Sequence, residues 1–479
     1  MAFEKGMMET FTKEKLIAAG TEKLAHILLS LYENQKDLRK QLDIIFVSLE
    51  ENPKKLISLI NKEIASLKRS SRFIEYNETS NFSNRLNQLR LHIVHDLALH
   101  SSSQAFELML SFLDLHEMTL NRVDDNNGEV GEVFRQACQD LGTLCEAASL
   151  PLEDIVDLIF ERFMKNGYGI YDEIIPNFKK ALGEQGLEVL RQALQNSLSA
   201  GNTFKTLIGL KQLADCQKDV DAYIRACSLK DEPGDYERLE IAERLIHHWR
   251  SKEALTWLEP IQLPPAHGWH TKRRSLKIQA LELEGEYERA QEERIAWFED
   301  SLSDEIYGQI LKNAKLDFKE GFRKKAIDRA FISSEPHAGL NFLIKIQEFE
   351  KACQFVHILK DKLQGQNYHI LRPAADLLKE IDPLAATLLY RKLLEAVLQE
   401  AKSKYYNYAA KDFVMCGLLN LKITDWQNYK DHQSYLNDLL IKHKRKVSFW
   451  AEYKSALQKQ REKAAKLLAK KNQDRKSVV

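Results

Sequence analysis

Gly285-Glu286-Tyr287-Glu288-Arg289-Ala290, Gly321-Phe322 leading to Ala326, and Glu348-Phe349-Glu350-Lys351-Ala352 repeat one short pattern at the start of a helical run. Each places an aromatic residue three or four positions before an alanine, and Trp249 to Ala254 is a looser copy. From Ala254 the alanines step by 36, 36 and 26 residues to positions 290, 326 and 352, and Ala386 lies 34 further on. Periods near ~34 residues belong to tetratricopeptide-type helical hairpins. The physical logic is packing. An alanine lets the second helix of a pair approach the first, and the aromatic fills the gap between neighbouring pairs. A lone pair cannot bury its own apolar face, so such units stack. The pattern therefore predicts an all-α chain, an α-solenoid of stacked, TPR-like helical hairpins. The full tetratricopeptide consensus is absent, and the 26-residue step breaks the period.

Working outward, the chain has 479 residues, more than the ~250–300 at which a single core stops growing, so two or more packed units are expected. Only 19 Gly and 10 Pro argue against the many turns of an all-β fold. Asn52-Pro53 starts a helix with proline in its first turn. The polar stretch 75–84 reads as a loop. Asp124-Asp125-Asn126-Asn127-Gly128 reads as an Asx-rich turn capping the next helix. Gly167-Tyr168-Gly169 is a break. The breaker Asp231-Glu232-Pro233-Gly234-Asp235 sets the expected division: an irregular helical half over 1–230, repeats over 231–446, and a basic helix and tail over 447–479.

No stretch approaches 18 uninterrupted apolar residues, and MAFEKGMMETFTKEKL at the start lacks an apolar leader core, so the expectation is a cytoplasmic protein. The six cysteines, Cys138, Cys145, Cys216, Cys227, Cys353 and Cys416, form no C-x-x-C pair and read as reduced, mostly buried thiols. His92 and His95 on one helix face, followed by Asp96, are the nearest approach to a metal-dependent phosphohydrolase set, with His26 and Asp154 as unconstrained partners. Reading Gly128 as the sixth residue of a calcium loop puts Val123 and Phe134 where carboxylates are required, so that reading fails. Glycine-rich phosphate loops and nucleophile elbows are absent. The sequence thus points to a non-enzyme, with no catalytic, cofactor-binding or metal-binding residues assigned and no cofactor expected.

Net charge is zero but uneven. From Lys442 onward, 13 Lys or Arg face 3 Asp or Glu. Lys442, Lys444, Arg445, Lys446, Trp450 and Lys454 are the candidate contacts to an anionic partner, since such clusters neutralise phosphates without reading sequence. A solvated helix that caps a repeat stack, or docks on the acidic body, accounts for the same charges.

Four stretches carry a family resemblance: LAHILLSLYENQKDLRKQL (24–42), NRVDDNNGEVGEVF (121–134), YGIYDEIIPNFKKALGEQGLEVLRQAL (168–194) and HKRKVSFWAEY (443–453). Together they resemble a bacterial family catalogued only as a domain of unknown function. The part from Asp382-Pro383 through Tyr405, Tyr406, Ala409 and Ala410 to Lys446 is also similar to the helical carboxy-terminal region of SWIM zinc-finger proteins. The C-x-C and C-x-H zinc ligands of that finger are missing, so no metal or nucleic-acid activity transfers from it. The resemblance implies a cytoplasmic bacterial helical-repeat protein. The expected role is a scaffold whose stacked hairpins present a concave surface to a protein or peptide. The competing expectation is a nucleic-acid-associated protein acting through the basic end; no membrane partner is expected.

Overall fold

The computed structural model describes residues 13–18, 20–34, 36–49, 52–198, 203–264, 268–312 and 314–476. It is all-α. Among the described residues the extended pairing is a single parallel bridge between Ile74 and Val123. The chain divides into two compact units, Met1–Arg244 and Leu245–Val479.

The first unit is irregular because one helix serves as its hub. Glu129–Ala148 packs against Tyr76–Leu91, Ser102–Leu113, Ile174–Asn177 and Lys179–Leu198. It buries Val130, Val133, Phe134, Ala137, Leu141 and Leu144, an apolar stripe at helical spacing. Gly142 permits the closest approach: a Cβ there would lie 2.2 Å from the Asn177 carbonyl oxygen. The turn before the hub is built as its sequence implies. The carboxylate of Asp125 accepts from the backbone N–H of Val130 (2.9 Å) and of Gly131 (2.8 Å), answering amides that no helical carbonyl can reach. Gly128 takes the left-handed conformation with φ 72°.

The stretch 75–84 is not a loop: Glu75 caps the helix Tyr76–Leu91, and the rest of the stretch lies in it. Its polar residues Thr79 and Ser83 are buried, and their hydroxyls donate to the carbonyls of Asp124 (2.9 Å) and Glu129 (3.1 Å). Distant acceptors offset the desolvation that a purely local reading counts against burial.

The second unit is a solenoid of stacked hairpins. Helices run Ser251–Leu258, Gly268–Leu283, Tyr287–Ser301, Asp304–Leu311, Leu316–Phe331, Pro336–Lys345, Phe349–Leu359, Tyr368–Leu378, Pro383–Gln399, Tyr406–Asn420, His432–His443 and Val447–Lys476. Most sequence neighbours pack on each other. Helices also reach the next but one: Pro336–Lys345 on Tyr368–Leu378, Phe349–Leu359 on Pro383–Gln399, and Tyr406–Asn420 on Val447–Lys476. One apolar core runs continuously from Phe298 to Phe449. Ala254, Ala290, Ala326, Ala352 and Ala386 are all 0% exposed, as a close-approach role requires.

The aromatic half of the motif divides. Phe322 is buried against Phe298 (centroids 5.4 Å) and Tyr307 (6.0 Å), so it fills the gap between helices. Tyr287 and Trp249 instead face solvent. Trp249 sits just past the helix Asp235–His247 with φ 60°, a position that closes the helix and turns its side chain outward.

Candidate functional site

Three consecutive helices, Tyr368–Leu378, Pro383–Gln399 and Tyr406–Asn420, wall a groove of about 510 Å³. Their starts are set locally. The carboxylate of Asp382 accepts from the Ala385 N–H at 2.9 Å, and Pro383 occupies the first turn of its helix. At one end of the groove a Cβ on Gly365 would meet the Lys392 carbonyl oxygen at 2.1 Å, so glycine lets that connection lie flat on the central helix.

The groove presents aromatic walls over an aliphatic floor. Tyr368, Tyr405 and Tyr408 are 65%, 40% and 49% exposed, while Leu393, Ala396 and Val397 form the floor. Cations lie on the ring faces: Lys404 is 5.1 Å from the Tyr405 centroid, and Lys411 is 5.6 Å from that of Tyr408. The remaining polar groups satisfy one another. Gln366 donates to Glu400 at 2.7 Å, Lys402 pairs with Glu400, and Arg372 pairs with Asp412. The groove therefore offers an adhesive apolar surface with a cationic rim.

These tyrosines were not among the residues the sequence singled out for binding. The available signal was Lys404-Tyr405-Tyr406-Asn407-Tyr408, where positions three apart share one face. Tyr406, between them, is buried and meets Phe449 edge-on at 5.9 Å.

The candidate anionic contacts are placed on the last two helices and the turn joining them. Lys442, Lys444, Arg445 and Lys454 are exposed. Lys446 is half-buried, with its ammonium 3.5 Å from the Tyr406 hydroxyl. Trp450 packs on the core with its indole N–H donating to the His443 carbonyl at 3.0 Å, and its ring lies 5.0 Å from Phe449. Trp450 thus belongs to the seam that holds the last helix, while Lys442 lines a separate cleft with Arg391.

The model of a family described as "Family of unknown function (DUF6880)" matches residues 7–206 and 198–452. The chain belongs to that family. The match takes in the first three resemblance stretches whole and the fourth through Glu452. No curated protein matches. Among solved structures the chain is similar to a "Circular tandem repeat protein with novel repeat topology and enhanced subunit contact surfaces". That match has 13% identity, covers 94% of this chain and 100% of the other, and has a TM-score of 0.14.

In this DUF6880 member, His92 and His95 are not presented together. Residues His92–Leu97 form a π-helical turn, whose wider winding displaces the three-residue neighbour from the face. His92 is buried with its Nδ1 2.6 Å from Asp96, while His95 is exposed. Among the described residues no group of three or more His, Cys, Asp or Glu is arranged to hold a metal ion. All six thiols are unpaired and buried. Burial pushes Cys138, Cys353 and Cys416 up to about 12 and Cys145 and Cys227 to about 11, far from the thiolate state that nucleophilic chemistry needs. Among the described residues no helix is long and apolar enough to cross a membrane.

Proposed function

We propose that this chain is a non-enzymatic, TPR-like scaffold of the bacterial cytoplasm that holds a partner protein by an extended peptide segment. The observation that carries the reading is the groove of Tyr368, Tyr405 and Tyr408 over Leu393 and Val397. Tyrosine supplies large contact area at low conformational cost and is enriched at protein interfaces. The rim cations Lys404 and Lys411 favour a segment with an apolar anchor and an acidic flank. The five buried alanines support the repeat reading, since they set the close helix spacing that leaves grooves between hairpins.

The test places a photo-crosslinking side chain at Tyr405 in the native host and sequences the captured peptides. Support is one recurring segment that binds the purified chain at physiological salt and is lost in a Tyr368→Ala, Tyr408→Ala double variant. Equal capture from the same cross-linker at the exposed Ile332, far along the chain from the groove, would overturn the reading.

A further inference from the structure

Partly buried arginines in this chain are answered by carboxylates. Arg244 bonds Asp215 through two nitrogens at 2.7 Å, and Arg372 bonds Asp412 in the same manner. In both, those bonds outweigh burial and hold the guanidinium above its ordinary value. Arg391 is different. It is 6% exposed, and its Nε and Nη2 have no hydrogen-bond partner. Its Nη1 donates to the Lys430 carbonyl at 2.7 Å, and its guanidinium lies 4.1 Å from the Tyr435 ring centroid and 4.8 Å from that of Trp426. Burial pulls its pKa below the ordinary value. An unanswered buried guanidinium is costly, and stacking on rings offsets only part of that cost.

Arg391 stands in the wall of a cleft of about 300 Å³ between the helices Pro383–Gln399 and His432–His443. Four lysines share that wall: Lys360, Lys392, Lys430 and Lys442. The acids there are already engaged. Asp361 holds Lys360 at 3.0 Å and lies 4.0 Å from the Lys392 ammonium, Asp438 holds Lys430, and Glu395 accepts from the Tyr435 hydroxyl at 2.8 Å. Five permanent cations against three carboxylates leave an excess of two positive charges, the charge of a phosphate dianion. Arg122 also has unanswered donors, but it lies under the Phe82 ring and lines neither this cleft nor the groove of Tyr368 and Tyr405.

We propose that this cleft is a phosphate-binding site in which Nε and Nη2 of Arg391 take two oxygens and Lys392 and Lys442 supply point charges. A guanidinium edge matches two phosphate oxygens geometrically, and lysine adds charge without directional demand. The cover over Arg391 is the connection 421–431, which carries Trp426 and Lys430 and holds Gln427 at φ 50°. It is turn rather than helix, so an entering anion displaces a connection and leaves the stack intact.

The test titrates the full chain with inorganic phosphate by calorimetry and thermal shift, against chloride at matched ionic strength. Expected are saturable binding and a raised Tm. Lys442→Glu, an exposed change that leaves the fold intact, weakens binding by about tenfold. Arg391→Met abolishes the phosphate-dependent rise in Tm, yet matches or exceeds the native Tm without phosphate, because an orphaned buried charge has been removed. A purely structural arginine would lower Tm in both buffers. Phosphoserine and adenosine monophosphate arms locate the source: tighter binding of either supports the site and assigns the group to a larger ligand. No response to phosphate, equal affinity for acetate, or binding that survives Lys442→Glu unchanged would each overturn the proposal.

Discussion

The guanidinium of Arg372 and the carboxylate of Asp412 meet in a two-pronged ion pair that ties the helix Tyr368–Leu378 to Tyr406–Asn420, with Nη2 2.8 Å from Oδ2. Asp412 is 2% exposed, and burial lifts its carboxyl to about 6 even beside the arginine. Removing the arginine leaves a buried anion alone. Arg372→Met is expected to cost about 3 kcal/mol at pH 7, measured by urea denaturation.

The pH dependence of that variant follows from linkage. A carboxyl raised in the folded state above its unfolded value near 4 favours folding when protonated. Its stabilising effect is present at low pH and is lost as pH rises through the folded value. Without Arg372 the folded value climbs further, so the deficit of Arg372→Met narrows as pH is lowered from 7 toward 4. A constant deficit across that range would show that Asp412 does not carry it.

The joint between Leu316–Phe331 and Pro336–Lys345 depends on atoms that are absent. A Cβ on Gly339 would meet the Ala330 carbonyl oxygen at 2.4 Å, and Ala326 is fully buried nearby in the sequence of the same hairpin. Gly339→Ala and Ala326→Leu are each expected to cost ~1–3 kcal/mol by overpacking. Their effects should fall short of additivity, since both open one joint, and a double-mutant cycle measures this.

How much of this was legible in the sequence depends on whether the cause was local. The alanines at 254, 290, 326, 352 and 386 announced close helix packing because a small residue at a repeat period has few other uses. Their aromatic companions were less telling. Tyr287 stands three positions before its alanine and Phe322 four, and that one-residue offset, a rotation of about 100° on a helix, leaves the first on the surface and the second in the core. Thr79 and Ser83 looked like loop because their acceptors lie about 45 residues away. Arg391, set within Leu388-Leu389-Tyr390-Arg391-Lys392-Leu393-Leu394, was visible as a charge inside an apolar run, but the missing carboxylate is a tertiary fact.

The thiols offer a test of rigidity. With Cys138, Cys353 and Cys416 pushed up to about 12, none is a thiolate at pH 8. A disulfide reagent such as Ellman's is expected to label the native chain slowly and all six thiols at once in denaturant. Rapid labelling of a subset in the native state would expose a locally opening segment.

The last helix carries an apolar anchor and the turn before it basic charges, and the two can be separated. Phe449 is 0% exposed, meets Tyr406 and Trp450, and joins the core on which Phe413 and Tyr453 stack at 4.8 Å. Phe449→Ala is expected to cost ~3–5 kcal/mol and to raise amide exchange along Val447–Lys476. A Lys444→Glu, Arg445→Glu pair, both exposed, should change stability by less than about 0.5 kcal/mol. If that charge reversal also leaves retention on single-stranded nucleic acid unchanged at two salt concentrations, the basic end acts as the cap of the stack. A fall in the salt slope of about two, one for each cation lost, would instead make these residues phosphate contacts.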